Sequence, residues 1–507
     1  MAARLGGSWT GYHARVSPGR TALHDLASGR RISYAELEDR IARLAGALAD
    51  GFGVRRGDRV AMLSWNCAQA FELMYACARL GAIFVPLNVR LSAPELDALA
   101  SDAAPVLLLG EQALLARDLA AGLPRLPWED GYEAAIAASG PAEPARLDPD
   151  DPWVIIYTSG TTGRPKGVLV THAGSEATML AALMSSGVTR DSVCLTALPV
   201  WHVAGLNLYA NPVLFAGGTV LVMQAFDPGL ALDLLTRAED PVTHFTGVPA
   251  HYQFIQARPG WAEADFPPFV AGVGGSPVPA ALVEDWRRRG VTLRSIYGIS
   301  EAGACVTITP PGEAAAEPGD VGLPVWHLQC RVTAADGADC PPGQPGELQI
   351  AGASVTPGYW GRPEETARAV ADGWLRTGDV AVMTGSGRVR IIDRIKDMYI
   401  SGGENVYPAE IEDVLYQHPA VAEAAVVGVP DERWGETGAA WLVLAAGSTV
   451  GADELRAWLR PRLATFKTPR DIHLVGELPR NATGKILKAH LRRRSAGETP
   501  HGPASGR

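Results

Sequence analysis

The sequence predicts an α/β fold, in which a large N-terminal domain of α/β subdomains plus a β-rich subdomain is followed by a small C-terminal α+β domain. Three observations support this prediction. Short apolar runs alternate with amphipathic stretches as far as about Gly319, which is typical of strands that alternate with helices. Strands interrupted by Gly, Pro and Asp follow, and from about Gly403 strand-like and helix-like patterns are mixed again.

The first elements are predicted from a helix cap and from apolar periodicity. Ser33 and Glu36 have the spacing of a capping box, and apolar residues recur at helical spacing over residues 37–48, which predicts an amphipathic helix. Short apolar runs at 59–64 and 82–88 lie on either side of a second helical stretch. The same alternation returns in the apolar runs between 191 and 276. This part of the chain is therefore expected to form the α/β subdomains.

The later part of the chain predicts smaller units. Residues 328–352 contain short apolar runs separated by turn residues, which indicates a β-rich subdomain. A mixed unit of about 110 residues then follows, a usual size for a small domain. We expect a large domain over residues 1–395 and a small lid domain over 396–494. The remaining residues, 495–507, are polar and rich in Gly and Pro, and we expect them to be disordered.

The composition excludes several classes of protein. The chain of 507 residues has a net charge of −10, with 47% apolar and 20% charged residues, so no basic face for nucleic acid is expected. No run approaches the ~18 apolar residues that span a bilayer. The N-terminus lacks the apolar segment of a secretory signal. The six cysteines show no CxxC spacing, which is typical of free thiols in a cytoplasmic protein.

A cluster of hydroxyl and glycine residues follows the apolar strand that ends near Tyr157. Residues 157–172 read YTSGTTGRPKGVLVTH, in which Lys166 comes after the cluster. Small residues let backbone N–H groups approach an anion closely, and a lysine adds a compact positive charge. The lysine is not in Walker A order, because Gly167 follows it. A flexible surface turn is the alternative, but the pattern favours a loop that grips a triphosphate.

This loop resembles the signature of the superfamily of acyl-CoA synthetases, nonribosomal-peptide adenylation domains and firefly luciferases. Further motifs of that superfamily occur in the same order at 297–301 (YGISE), 373–381 (GWLRTGDVA), 393–412 and 479–488 (PRNATGKILK). The resemblance implies an AMP-forming acid–thiol ligase. Such an enzyme uses ATP and Mg²⁺ to convert a carboxylic acid to an acyl-adenylate, which then reacts with coenzyme A.

The resemblance also implies roles for individual residues. Tyr297 would stack near the adenine, Asp379 and Arg394 would hold the ribose, and Thr158 and Glu301 would serve the metal. Catalysis is assigned to Lys485, Glu301, Thr158 and His202. The full set expected to bind ATP or AMP is Thr158, Ser159, Gly160, Thr161, Thr162, Gly163, Lys166, Gly275, Ser276, Tyr297, Gly298, Ser300, Asp379, Ile391, Arg394 and Lys485.

Lys485 matches the superfamily's adenylation lysine. A carboxylate must attack the α-phosphate while pyrophosphate leaves, so a cation between the two anions would stabilise the transition state. No general base is needed, since a carboxylate is already ionised at neutral pH. By resemblance, Lys396 is the hinge about which a mobile small domain turns. That rotation would bring the coenzyme A residues to the adenylate, namely Gly402, Gly403, Glu404 and Trp434.

The expected acyl pocket is mostly apolar or small. The resemblance assigns it Trp201, His202, Val203, Asn207, Val248, Val273, Gly274, Ile299 and Gly303. Because no Lys or Arg is among them, we expect a hydrophobic monocarboxylate rather than malonate. The chain resembles bacterial hydroxycinnamate ligases and shorter fatty-acyl-CoA ligases, and the small Gly274 floor favours a flat aryl acid. Trp201 replaces the more usual Phe or Tyr, and Ser276 the more usual Ala.

Three alternatives remain open at this point. The chain could load a carrier protein instead of coenzyme A, although it contains no carrier domain. It could be a luciferase-like oxygenase on the same fold. It could also be a non-catalytic nucleotide-binding sensor or scaffold, which the presence of Lys485 disfavours. The expected partners are a small carboxylic acid and coenzyme A, and a homodimer is allowed.

Overall fold

A computed structural model gives the fold and describes residues 4–5, 8–117, 122–158, 165–315, 319–401, 404–480 and 486–495. The strands are β1 (Arg4–Leu5), β2 (Thr21–Asp25), β3 (Arg31–Ser33), β4 (Arg59–Leu63), β5 (Ile83–Leu87), β6 (Leu107–Gly110), β7 (Arg125–Pro127), β8 (Arg146–Leu147), β9 (Pro152–Thr158), β10 (Lys166–Thr171), β11 (Val193–Thr196), β12 (Thr219–Val222), β13 (His244–Gly247), β14 (Val270–Gly274), β15 (Leu293–Tyr297), β16 (Thr307–Ile308), β17 (Leu323–Pro324), β18 (Leu328–Thr333), β19 (Gly346–Gly352), β20 (Val370–Ala371), β21 (Trp374–Met383), β22 (Val389–Arg394), β23 (Tyr399–Ser401), β24 (Glu404–Val406), β25 (Val421–Asp431), β26 (Gly435–Leu444) and β27 (Asp471–Leu474).

The α-helices are α1 (Ser8–Val16), α2 (Tyr34–Gly46), α3 (Ala68–Leu80), α4 (Ala93–Ala103), α5 (Gln112–Leu115), α6 (Tyr132–Ala138), α7 (His172–Ser186), α8 (Val203–Asn207), α9 (Ala210–Ala216), α10 (Pro228–Leu235), α11 (Pro249–Gln256), α12 (Ala280–Arg288), α13 (Pro363–Ala369), α14 (Pro408–Tyr416), α15 (Ala452–Leu459) and α16 (Lys488–Ser495). Short 3-10 turns lie at Trp261–Glu263, Ser300–Ala302 and Thr465–Lys467, and a π-helical turn at Ala47–Gly51 extends α2. None of the helices in the described ranges is long and apolar enough to cross a membrane.

Two large sheets form the N-terminal part of the molecule. One has the strand order β10-β9-β5-β4-β6-β7 and is parallel except for β10. The other has the order β17-β16-β15-β14-β13-β11-β12-β2-β3, and its central strands are parallel. Helix α3 contacts strands of both sheets and is buried on nearly every side, as expected for a helix between two apolar layers. The predicted α/β class is confirmed.

The prediction for the first helix is confirmed for its N-cap and apolar face, whereas only the Ser33 half of the predicted capping box forms, since the Glu36 carboxylate accepts a hydrogen bond from Arg30 at 2.8 Å. Ser33 is the N-cap of α2, and its hydroxyl accepts a hydrogen bond from the backbone N–H of Glu36 at 3.2 Å. Leu37, Ile41 and Leu44 are fully buried on the inner face. The cap ends the chain's extended path after β3, and the apolar face then fixes how α2 packs on α3.

Two smaller sheets follow the large ones. The first, with the order β18-β19-β21-β20 and with β22 on β21, forms the β-rich part. The second, with the order β24-β23-β26-β25 and with β27 on β26, has a separate apolar core beneath α14 and α15. The predicted boundary at Lys396 lies between β22 and β23. Its role as a domain boundary stays a prediction, and the predicted tail beyond Ser495 lies outside the described residues.

Candidate active site

The carboxyl ends of neighbouring parallel strands meet at one edge of the nine-stranded sheet. Val248 follows β13, Gly275 and Ser276 follow β14, and Gly298 follows β15. In open α/β sheets this edge is where ligands bind. The structure therefore brings together sequence motifs that are separated by up to fifty residues of chain.

Close packing explains two of the glycines at this edge. A Cβ atom on Gly274 would overlap the carbonyl oxygen of Ile296, and one on Gly298 would overlap the carbonyl oxygen of Ala304. Gly275 has a φ of +82° and is exposed, with Val248 beside it. These residues leave bare backbone at the strand ends, which a flat ligand can approach.

A buried polar cluster joins this edge to the β-rich sheet. The Tyr297 hydroxyl donates a hydrogen bond to Asp379 Oδ2 at 2.6 Å, and Arg394 Nε lies 3.4 Å from Asp379 Oδ1. Asp379 is 4% exposed and faces Arg394 across the β21–β22 pair, with Ile391 on the same strand as Arg394. Burial, and then the nearby Asp379 carboxylate, raise the pKa of Tyr297 well above its ordinary value. Tyr297 is therefore protonated and remains a donor at neutral pH.

The predicted phosphate loop connects the two strands of a hairpin. Thr158 ends β9 and pairs directly with Lys166, the first residue of β10. Ser159, Gly160, Thr161, Thr162 and Gly163, which join them, lie outside the described residues. The hairpin thus fixes both ends of the loop at neighbouring positions of the six-stranded sheet.

A second polar cluster connects Lys166 to Glu301. Lys166 Nζ lies 2.5 Å from Glu365 Oε2 and 5.0 Å from the centre of the Tyr359 ring. The Tyr359 hydroxyl donates to Glu301 Oε1 at 3.0 Å. Glu301 and Ser300 belong to the 3-10 turn after β15, and Ser300 is buried. Tyr359 therefore contacts both Lys166, the predicted phosphate lysine, and Glu301, the predicted metal ligand.

The predicted acyl residues come from α8, from β14 and from the 3-10 turn after β15. His202 is the N-cap of this helix, and its Nδ1 accepts from the backbone N–H of Ala204 at 3.3 Å. Val203 and Asn207 are buried on the helix, and Asn207 Oδ1 accepts from Asn211 Nδ2. Ile299 and Gly303 border the Glu301 turn, while Val273 lies on β14.

Trp201 differs from the other predicted pocket residues in its surroundings. It is only 5% exposed and packs edge-on against Trp65, in the apolar cluster beneath the six-stranded sheet. Its large indole is accommodated in this core, so its contribution to the shape of an acyl pocket stays a prediction.

Comparisons with known proteins agree on one family. The family model of the AMP-binding enzyme matches residues 12–360, and the family model of the AMP-binding enzyme C-terminal domain matches residues 410–485. A feruloyl-CoA synthase from Amycolatopsis sp. is 44% identical over 96% of this chain and 98% of its own. The fatty acid–[acyl-carrier-protein] ligase ScoC of Streptomyces coeruleorubidus is 37% identical over 97% of this chain and 96% of its own.

Solved structures give the same result. ATP-bound MatB from Rhodopseudomonas palustris superimposes with a TM-score of 0.87 at 32% identity, covering 97% of this chain and 99% of MatB. The apo form of MatB gives 0.78 over the same coverage. The chain belongs to the AMP-binding enzyme family. The predictions that it is an enzyme and an AMP-forming acid–thiol ligase are confirmed.

In this AMP-binding enzyme α16, the last helix of the described ranges, is hydrogen-bonded to the predicted hinge residue. Arg492 Nη2 on α16 donates to the backbone carbonyl of Lys396 at 3.2 Å and to Asp397 Oδ1 at 2.7 Å. Lys488, at the start of α16, forms a buried ion pair with Glu412 of α14 at 2.8 Å. Burial, followed by the charge of Arg394, lowers the pKa of Lys396.

Of the predicted coenzyme A residues, the structure describes Glu404 and Trp434, both in or next to strands of the small sheet. Glu404 pairs with Ser401 across β23 and β24, and Ser401 pairs with Gly435 at the start of β26. Trp434, just before that strand, is 42% exposed and carries the Arg433 guanidinium over its ring. Strand β23 therefore lies between Glu404 on β24 and the strand β26 that Trp434 precedes. Gly402, Gly403 and the predicted catalytic Lys485 lie outside the described residues.

Two residues at the site of this AMP-binding enzyme were missed in the sequence. Tyr359 lies between the recognised motifs, and only the Gly-Tyr-Trp run before the Pro at the start of α13 marks it. Asn66 is a single asparagine between β4 and α3. Its side chain binds the backbone of Leu198, Val200 and Met223, just ahead of Trp201 and His202. No local pattern reveals either contact.

Proposed function

We propose that this AMP-binding enzyme activates a hydrophobic aromatic monocarboxylic acid of the hydroxycinnamate type and joins it to coenzyme A. The observation that carries the proposal is the 44% identity to a feruloyl-CoA synthase over nearly the full length of both chains. The absence of Lys and Arg from the predicted pocket positions supports a substrate with one carboxylate. A medium- or long-chain fatty acid is the alternative substrate.

In the proposed first step, a carboxylate oxygen of the acid attacks the α-phosphorus of ATP. A new P–O bond forms, and the bond to pyrophosphate breaks, which yields the acyl-adenylate. Two anions approach each other, so fixed cations stabilise the charge that is shared in the transition state. We assign this role to Lys485, and we assign binding of the outgoing phosphates to Lys166, Thr158 and the intervening loop residues.

We assign the adenosine half of ATP to the Tyr297 cluster. Asp379 is held by the Tyr297 hydroxyl and by Arg394, and a carboxylate suits the hydroxyls of a ribose. Arg394 is partly exposed, with 38% of its side chain accessible, so its remaining donors can reach a nucleotide. The bare backbone at Gly275, Ser276 and Gly298 would accommodate the adenine ring.

The Glu301 carboxylate and the Thr158 hydroxyl are suitable ligands for Mg²⁺. This cation prefers carboxylate, hydroxyl and phosphate oxygens, and Glu301 Oε1 is fixed by the Tyr359 hydroxyl. Glu301 and the Thr158 hydroxyl would hold the metal, which would neutralise phosphate charge on ATP. The partial exposure of both residues leaves them accessible to a phosphate-bound ion.

In the proposed second step, the coenzyme A sulfur attacks the acyl carbon. A C–S bond forms, the C–O bond to AMP breaks, and the thiol proton passes to solvent. A turn of the small domain about Lys396 would bring Gly402, Gly403, Glu404 and Trp434 to the adenylate. The better superposition on ATP-bound than on apo MatB supports an arrangement like that of the first step. A cytoplasmic location and a homodimer are further parts of the proposal.

The first experiment measures pyrophosphate release from MgATP with ferulate, coumarate, benzoate, octanoate, palmitate and malonate, each with and without coenzyme A. Lys485→Ala is the test variant. Lys467→Ala is the matched control, since it removes a partly exposed small-domain lysine that is paired with Glu410. We expect ferulate and coumarate to be preferred, with multiple turnovers only when coenzyme A is present. Activity should collapse in Lys485→Ala and persist in the control.

Other outcomes would redirect the proposal. Preference for octanoate or palmitate would make the enzyme a fatty-acyl-CoA ligase. Pyrophosphate release that is indifferent to coenzyme A would favour transfer to a carrier protein, the activity named for the relative ScoC. No release with any acid, from a folded protein, would refute the proposed function.

A further inference from the structure

The segment between β19 and α13, which carries Tyr359, is hydrogen-bonded to both sides of the predicted phosphate site. On one side, the backbone N–H of Trp360 donates to the carbonyl of Gly167 at 2.7 Å, next to Lys166. On the other side, the backbone N–H of Thr356 donates to the carbonyl of Glu301 at 2.7 Å. The segment therefore fixes the distance between strand β10 and the 3-10 turn.

The segment is rigid at Tyr359 itself. The Tyr359 backbone N–H donates to the Thr366 hydroxyl at 2.9 Å, which ties the segment to α13. Thr356 Oγ1 donates to the carbonyl of Leu169 at 2.7 Å, which adds a second connection to β10. Since the backbone is fixed at these points, the direction of the Tyr359 side chain is set before any ligand binds.

The Tyr359 side chain contacts both charged residues of the site. Its hydroxyl donates to Glu301 Oε1 at 3.0 Å, and its ring face lies 5.0 Å from Lys166 Nζ. A hydroxyl that holds one carboxylate oxygen leaves the other oxygen directed at a cation. A ring face attracts an ammonium group without neutralising it, in contrast to a direct ion pair. Glu365, on α13 next to the Tyr359 segment, forms the direct ion pair with the same ammonium.

We propose that Tyr359 is a positioning residue that holds the Glu301 carboxylate and the Lys166 ammonium in the arrangement that receives the metal-bound phosphates of ATP. This inference rests on the proposed function, because Glu301 and Lys166 are assigned there to the metal and the phosphates. Tyr359 touches neither the acid nor the reacting phosphorus in this assignment. It acts through the two residues that it orients.

The test uses Tyr359→Phe, which removes the hydroxyl and keeps the ring against Lys166. Binding of Mn²⁺ in the presence of ATP is followed by electron paramagnetic resonance, without any acid. Loss of an outer-sphere partner typically weakens metal binding about 10- to 100-fold, and we expect a weakening of about tenfold. The acid KM should be unchanged, and raised Mg²⁺ should restore adenylation. Tyr12→Phe, at an exposed tyrosine, is the matched control.

A double-mutant cycle separates positioning from a general structural effect. In a Glu301→Gln background the carboxylate is absent, so Tyr359→Phe should weaken Mn²⁺ binding little further. Unchanged Mn²⁺ affinity in Tyr359→Phe would overturn the inference. Equal and additive losses in both backgrounds would also overturn it. Mn²⁺ binding is measured without turnover. The absence of pyrophosphate release with every acid would therefore refute the proposed function, while the effect of Tyr359→Phe on Mn²⁺ affinity could still be interpreted.

Discussion

Replacement of Asn66 by alanine should damage both the packing of the two large sheets and the acid site. The Asn66 amide donates to the carbonyls of Leu198 and Met223 at 3.0 and 3.1 Å, and its oxygen accepts from the N–H of Val200 at 2.9 Å. The residue is 3% exposed, so each partner would lose its hydrogen bond in a dry environment. An unsatisfied buried polar group costs about 1–3 kcal/mol.

We take about 1–1.5 kcal/mol for each of the three groups, because the backbone can relax or admit water, and this gives a loss of about 3–4.5 kcal/mol. The turn that they hold leads into His202. We therefore also expect the acid KM of Asn66→Ala to rise severalfold, with the ATP KM nearly unchanged. Scanning calorimetry and pyrophosphate release measure the two effects. Gln253→Ala, at an exposed amide on α11, provides the matched control and should change neither.

The reasoning has a clear point of failure. If Asn66→Ala unfolds within about 1 °C of the parent and keeps its acid KM, the three hydrogen bonds do not hold the turn. If the ATP and acid KM values rise together, the substitution disturbs the whole site and not the acid side alone, whereas a general loss of folded protein would lower kcat and leave both KM values unchanged. Only a raised acid KM together with an unchanged ATP KM supports a role for Asn66 in placing His202.

Two further predictions concern stability. Arg40 forms paired hydrogen bonds with Glu72, whose side chain is 0% exposed, so Arg40→Met should destabilise the protein by about 3–5 kcal/mol. In calorimetry the double variant Arg40→Met/Glu72→Met should recover much of this stability. No recovery would contradict the explanation by the buried ion pair. Burial lowers the pKa of His172, which stacks on Trp153, to about 4. The unfolded state therefore binds a proton more readily than the folded state between pH 6.5 and 4, and stability falls as pH falls through that window. From pH 7.5 to 5 the parent should lose about 2 kcal/mol more than His172→Phe, and equal losses in urea titrations would refute this.

Much of the fold was predictable because its signals are local. The Ser33 cap and the apolar face of α2 lie within a few residues of one another, and the glycine-rich loop lies between two strands that pair directly. The order of motifs along the chain then identified the family. These features depend on neighbours in sequence, which periodicity and turn chemistry reveal.

The contacts that were missed join distant parts of the chain. Tyr359 meets Glu301 across 58 residues, and Asn66 meets Leu198 across 132 residues. Neither residue has a local pattern that distinguishes it from an ordinary turn residue. The pairing of β2 with β12 is similarly long-range. Such contacts follow from tertiary packing, which one sequence does not specify residue by residue.

The hydrogen bonds of Arg492 to Lys396 and Asp397 join helix α16 to the first residues of the predicted small domain. If Lys396 is the hinge, as we propose, these two parts would move together, and a rotation of the small domain about this pivot would not stretch a second connection. An affinity tag or fusion partner appended after α16 would crowd that pivot. Expression vectors for this protein should therefore carry their tags at the N-terminus.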